Sequence, residues 1–165
     1  MPELPEIEIV RRSLNKMINN AKIINVKTSN KNLRYNISCK FLKILINENI
    51  IKISRRSKYL IFHLKKKILL AHFGMSGKLL IMKHSDETLH KTSFYYNLNI
   101  HNKHNHIYIK LNNGLTLIYN DIRRFGFFKL YNTTKLKKIK FLSNIGLEPF
   151  SKLFNLNYFK NSIKN

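Results

Sequence analysis

Cysteine is almost missing from this chain: Cys39 is the only one in 165 residues. A lone thiol excludes an intramolecular disulfide and a cysteine-rich zinc site built from this sequence. Acidic residues are also scarce, 8 against 31 Lys and Arg, for a formal net charge of +23. That imbalance points to a polyanionic partner, most simply nucleic acid. Lys, Asn and Ile crowd the whole chain, the pattern that A+T-biased coding produces, so the sign of the charge carries more weight than its size. Long apolar runs are missing too. Glu3, Glu6 and Glu8 interrupt the N-terminus, which excludes a signal-peptide pattern. No stretch is long enough for a membrane-spanning helix. The expectation is a soluble, intracellular protein with no membrane partner. Apolar residues at 44% and aromatics at 12% allow a sizeable core, and the length suits one domain, or one domain plus a fragment. The chain has no internal repeat.

From Pro5 to about Asn19, Ile7, Val10, Leu14 and Met17/Ile18 fall at helical spacing between polar residues. The spacing predicts an amphipathic helix. Eight short β-rich runs follow: Ile23–Thr28, Ile50–Ser54, Tyr59–Leu64, Ile68–His72, Lys78–Met82, His106–Leu111, Leu115–Tyr119 and Phe127–Tyr131. Asn112-Asn113-Gly114 marks a turn between two of them. Phe41–Ile46 and Lys135–Ser143 read as helical, Asn155–Lys164 as the start of another helix, and His84–His106 as a polar, mobile loop. The fold class is mostly β with flanking helices: a two-layer β-sandwich of about eight strands with an N-terminal helix.

Met1-Pro2-Glu3-Leu4-Pro5-Glu6 admits two readings. One is a helix start, with Pro in the first turn and acids facing the dipole. The other is chemical. Removal of Met1, which a small second residue permits, frees the Pro2 ring nitrogen as a secondary amine. An α-amine titrates near pH ~8, against ~10 for a Lys side chain, so a nucleophilic fraction exists at neutral pH. Attack on a sugar aldehyde carbon gives an iminium, an electron sink of the Schiff-base kind. Glu3 lies beside that amine, with Glu6 one turn further on.

Three more stretches are equally two-sided. Arg55-Arg56-Ser57-Lys58-Tyr59 is a solvated charge run, or two phosphate-binding arginines with Lys58 projecting into a site as a proton donor. Phe73-Gly74-Met75-Ser76-Gly77 is a hairpin with Met75 in the core, or a turn that offers Met75 as a wedge into a base stack. Asp121-Ile122-Arg123-Arg124-Phe125-Gly126 is a hairpin turn with Phe125 in the core, or a phosphate and base-stacking contact. His101, His104 and His106 have no acid or thiol close by in sequence and read as solvated or phosphate-contacting histidines rather than a metal site.

In order and spacing these stretches resemble bacterial formamidopyrimidine-DNA glycosylase, along essentially all 165 residues. Lys103-His104-Asn105-His106 is similar to the family's Lys-His-Asp-His, with Asn for Asp, and Gly146-Leu147-Glu148-Pro149 to its interdomain Gly-Pro-Glu-Pro. Leu4 favours this branch over the endonuclease VIII group, which usually opens Pro-Glu-Gly-Pro-Glu. The resemblance implies a base-excision-repair DNA glycosylase and AP lyase. It would remove oxidised purines, 8-oxoguanine and formamidopyrimidines, from double-stranded DNA, as a monomer in the bacterial cytoplasm associated with the nucleoid. It implies Pro2 as the nucleophile on C1′, Glu3 as general acid/base with Glu6 in support, and Lys58 as the proton donor of β-elimination. Met75, Arg123 and Phe125 would fill the gap left by a flipped nucleotide, and His104 and Arg124, with Arg123, would hold phosphates. The resemblance also divides the chain: residues 1–145 as the catalytic β-sandwich, residues 146–165 as an interdomain linker and the start of a helical DNA-binding region. The helix-two-turn-helix completion and a four-cysteine zinc finger would lie beyond Asn165, so no cofactor is expected in this chain. The alternative is a truncated remnant that binds DNA through charge without catalysis.

Overall fold

The structure, a computed structural model, describes residues 2–29, 32–85, 89–92 and 100–163. Helix α1 spans Leu4–Ile18. Its N-terminus is closed by the Glu6 carboxylate, which accepts the Glu3 backbone N–H at 2.8 Å, the return half of a capping box. The periodic apolar residues Ile7, Val10, Leu14 and Ile18 are all buried. Asn15 pins the helix to the sandwich: its amide donates to the Ile53 carbonyl at 2.8 Å and accepts the Ile53 N–H at 2.9 Å. Ile53 lies on an edge strand, so the helix also covers backbone groups that would otherwise face outward.

Among the described residues, nine strands form two antiparallel sheets. They are β1 Ile23–Thr28, β2 Lys52–Arg56, β3 Tyr59–His63, β4 Lys67–His72, β5 Lys78–Lys83, β6 Leu89–Lys91, β7 Asn105–Leu111, β8 Leu115–Asn120 and β9 Phe127–Asn132. The orders are β1-β7-β8-β5-β6 and β2-β3-β4-β9. All eight expected strands form, with small boundary shifts. The ninth, β6, pairs with β5 inside the segment expected to be a mobile loop. That expectation is also corrected at its far end: Asn102–His104 is a 3-10 turn and β7 begins at Asn105. Its residues 86–88 and 93–99 lie outside the described residues. The short helix α2 is Cys39–Leu45. The expected helix at Lys135–Ser143 divides into a 3-10 segment, Thr133–Lys138, and a short helix α3, Lys140–Ser143. Helix α4, Leu156–Ile163, buries none of its described residues.

The main core lies between the sheets and beneath α1. A second cluster, Ile61, Ile68, Leu70, Phe127 and Ile139, fills the outer face of the four-stranded sheet under the 133–143 segment. Strand β4 is therefore buried on both faces, which is why it reads as an unbroken apolar run rather than an alternation.

Topology brings two turns together. Residues 73–77 connect β4 to β5 and residues 121–126 connect β8 to β9. Each crosses from one sheet to the other, because β4 pairs with β9 and β5 pairs with β8. The registers His72↔Phe127 and Lys78↔Asn120 place both crossovers side by side at one end of the sandwich. Neither is the simple hairpin that the bland reading of these stretches offers.

Candidate active site

The amine end of the site is built where α1 meets the β2–β3 turn. Pro2 is buried, and Glu3 caps the helix with an exposed side chain. Lys58 sits in the two-residue turn between Arg56 and Tyr59, which pair across the hairpin. Its Nζ lies 2.6 Å from Glu3 Oε2, so residues 55 positions apart share one ion pair directly after Pro2. Ser57 has φ +50°, a left-handed conformation unfavourable for a residue with a Cβ. Its N–H donates to Glu148 Oε1 at 2.6 Å.

Arg55 and Arg56 do not face outward as phosphate ligands. Arg55 donates through Nη1 and Nη2 to the two Glu148 oxygens at 3.2 and 2.8 Å, and through Nε to Glu8 at 3.2 Å. Arg56 donates to the Ile145 and Gly146 carbonyls at 3.0 and 2.6 Å. These contacts bind the 145–148 segment to the sandwich. Hydrogen bonding from Arg11 first, then from Arg12 and Arg55, outweighs burial and holds the Glu8 pKa down at about 2. Burial pushes the Glu148 carboxyl up, but hydrogen bonds from Arg55 and the Ser57 N–H outweigh it and leave its pKa below the usual range.

The second end is formed by the two crossover turns. Met75 and Phe125 are each 45% exposed, which rules out core burial for both. The Arg123 guanidinium lies over the Phe125 ring, 4.6 Å from its centroid. Arg124 is exposed at φ +56°. Gly74 has φ +62°, and a Cβ there would lie 2.6 Å from the Phe125 carbonyl carbon, so glycine is required for the two turns to touch.

One carboxylate organises this contact. Asp121 is fully buried. Its Oδ1 accepts the Ser76 hydroxyl at 2.5 Å and the Arg123 N–H at 3.2 Å, and its Oδ2 accepts the Tyr119 hydroxyl at 2.8 Å and the Gly126 N–H at 2.9 Å. Ser76 in turn accepts the Arg123 N–H at 3.0 Å. The Asp121 N–H donates to the His104 carbonyl at 2.9 Å, bringing the 102–104 turn against the same unit.

A groove of about 840 Å³ is lined by Arg34, His72, Met75, Arg123, Arg124 and Phe125 among others. His72 connects the two ends. Its ring stacks on Phe127, its Nδ1 accepts the Gly74 N–H at 3.1 Å, and Tyr59 packs beside it. Burial lowers its pKa, and the Arg34 and Lys58 charges lower it further, so the neutral ring with its proton on Nε2 is favoured.

The structure thus brings Pro2, Glu3, Glu6 and Lys58 to one end, and Met75, Arg123, Arg124, Phe125 and the backbone of His104 to the other. His106 is corrected: it is 3% exposed and bonds the Asp121 carbonyl through Nε2 at 2.8 Å, so it is a core residue and not a solvated one. Among the described residues no group of three or more His, Cys, Asp or Glu has a metal-binding arrangement. The sequence reading missed Arg34 and His72 and gave Asp121 and Glu148 no role. Both acids stood inside motifs already noted, and for Asp121 a lone acid close to two consecutive arginines was the available signal.

The family model of the formamidopyrimidine-DNA glycosylase N-terminal domain matches residues 1–128. The chain belongs to that family. It is 41% identical to the formamidopyrimidine-DNA glycosylase of Bartonella tribocorum over 170 aligned residues, covering 100% of this chain and 57% of that protein. It is 37% identical to the Rickettsia conorii protein of the same name, covering 99% of this chain and 55% of the relative. The chain therefore spans little more than half the length of these family members. Its fold matches the Lactococcus lactis Fpg in complex with abasic-site DNA, with a TM-score of 0.79 and 31% identity over 98% of this chain and 56% of that one. A complex of the same L. lactis protein with DNA containing N7-benzyl-Fapy-dG matches with a TM-score of 0.80 and 31% identity, over 99% of this chain and 56% of that one.

Proposed function

We propose that this chain carries the catalytic half of a base-excision DNA glycosylase and AP lyase acting on oxidised purines, 8-oxoguanine and formamidopyrimidines, in double-stranded DNA. The observation that carries the proposal is the Glu3–Lys58 pair at 2.6 Å beside buried Pro2, connected through Tyr59 and His72 to a cationic groove that offers two exposed apolar side chains. After Met1 removal the Pro2 nitrogen attacks C1′ of the damaged nucleotide. The N–C1′ bond forms and the bond from C1′ to the base breaks. Glu3 handles the proton as the sugar ring opens to an iminium, with Glu6 holding the Glu3 backbone. A C2′ proton then passes to water, the C3′–O bond breaks and the 3′ phosphate leaves, with Lys58 supplying a proton to the departing groups. The target carbon lies inside the duplex, so the nucleotide must be flipped out, at a cost of a few kcal/mol per unstacked step, roughly. Met75, Arg123 and Phe125 offset that cost by filling the gap, and His104, Arg124, Arg34 and His72 face the phosphates.

The chain's single cysteine does not fit a four-thiolate zinc site. The protein acts as a monomer, in the cytoplasm and on the nucleoid. The test is borohydride trapping on an 8-oxoguanine duplex, with the intact mass used to verify loss of Met1. A covalent protein–DNA band is expected, reduced by about tenfold or more in Pro2→Gly. No band, or an undiminished band in the variant, overturns the mechanism. Salt-sensitive binding with no preference for the lesion would instead mark a chain that holds DNA by charge alone.

A further inference from the structure

We infer that Glu148 is a positioning residue for the acid–base pair, locking the Lys58 turn and the start of α1 into one frame. The inference rests on the function proposed above and assigns a role to a residue that the proposed chemistry does not use. Its basis is a closed circuit of contacts. Glu3 caps α1, and Glu8 lies on the same helix. Glu8 accepts Arg55 Nε, and Glu148 accepts both Arg55 Nη atoms. Glu148 Oε1 also accepts the Ser57 N–H, and Arg55 Nη1 donates to the Ser57 carbonyl at 3.0 Å. Lys58 follows Ser57 and closes the circuit on Glu3.

Two features make this more than a surface ion pair. The Arg55 side chain is only 12% exposed, and its contact with Glu148 is a two-point guanidinium–carboxylate contact, which fixes geometry as well as charge. Ser57 is held in a left-handed conformation that a residue with a Cβ adopts reluctantly, and Glu148 captures the N–H which that conformation presents. Arg56 secures the other side by gripping the Ile145 and Gly146 carbonyls. Glu148 lies in the segment after the sandwich, so the placement of that segment is mechanically linked to the Glu3–Lys58 distance.

The experiment compares Glu148→Ala and Glu148→Gln with the parent in the 165-residue chain. The first readout is the single-turnover rate of trapping and strand cleavage on abasic-site DNA, against DNA affinity and melting temperature measured in parallel. Misplacing a catalytic group by an ångström costs up to about a hundredfold, so Ala should slow the chemistry by about tenfold while affinity stays within about twofold. Gln can still accept the Ser57 N–H and should recover roughly half of that loss on a logarithmic scale. The second readout needs no catalysis: acylation of Lys58 by an amine-selective reagent, followed by peptide mass spectrometry. Release of Lys58 from Glu3 should raise its labelling rate by about threefold or more in the Ala variant. If the parent traps no DNA, the proposed function fails and the labelling alone decides the positioning role. Unchanged labelling, an unchanged rate in an active protein, or a rate loss that only tracks affinity or melting overturns the inference.

Discussion

The two ends of the candidate site are held by opposite physical means. At the amine end, Glu8, Arg55 and Glu148 form a lattice of ion pairs near the surface, with side-chain exposures of 12–24%. At the other end one carboxylate, Asp121, is fully buried and accepts four hydrogen bonds. A partly exposed lattice is screened by solvent and tolerates small movements. A buried, satisfied carboxylate is costly to disturb, because every donor it loses is left without water. The contrast matches what each end must do under the proposed function. The amine end has to let protons move and a covalent bond form. The wedge end has to hold its shape while a base pair is opened against it.

The sharpest way to break the comparison is to remove the buried anchor. Asp121→Ala strips Ser76, Tyr119 and the Arg123 and Gly126 N–H groups of a shared acceptor. A loss of roughly 3 kcal/mol is expected, about 6–12 °C in melting temperature, well beyond the effect of Glu148→Ala. Thermal unfolding followed by circular dichroism measures it, and a shift no larger than that of the Glu148 variant would erase the distinction between the two ends.

A smaller effect separates wedge function from wedge support. Met75 is half exposed, so Met75→Ala should leave stability within about 0.5 kcal/mol. Its binding to an abasic-site duplex should weaken by about tenfold, while binding to undamaged duplex barely changes. Fluorescence anisotropy on the two duplexes at one salt concentration checks this, and equal losses on both would remove Met75 from the wedge.

The smallest effect concerns pH. The Glu8 carboxyl is depressed in the folded protein from 4.5 to about 2. A depressed carboxylate contributes stability that is fully present above its unfolded pKa and is lost as pH falls through the folded value. The ionic lattice should therefore persist to well below pH 4.5 and weaken towards pH 2. Glu8→Gln should flatten the stability–pH curve across that window by a modest amount, which acid titration of the melting temperature resolves. An unchanged curve would show that the lattice adds nothing to stability.

Much of the fold was legible in residue order. Helix α1 announced itself through Ile7, Val10, Leu14 and Ile18 at helical spacing. The strands were visible as short β-rich runs, and β6 was missed because three residues in a polar stretch carry no periodicity. The division into two sheets was anticipated, but not which strands belong to each. Apart from Arg34 and His72, every residue proposed to act on DNA was also visible within a motif, although each motif had a packing explanation as well. Met75 and Phe125 illustrate the ambiguity: an apolar residue on a turn suits a core or a wedge, and only its exposure distinguishes them.

What remained hidden was pairing. Arg55 and Arg56 look like free cations beside Lys58, yet their acceptors lie in the 145–148 segment and, for Arg55, also in Glu8 on α1. Asp121 meets Ser76 across 45 positions, and Glu148 meets Ser57 across 91. Periodicity and turn chemistry act over a few residues, so they specify helices, strands and which residue types stand at the turns. Contacts between distant turns depend on how two sheets stack and where their crossovers fall. That is why Pro2, Glu3 and Lys58 could be named from residue order alone, while the hidden carboxylates that hold both ends in place appear only once the chain is packed.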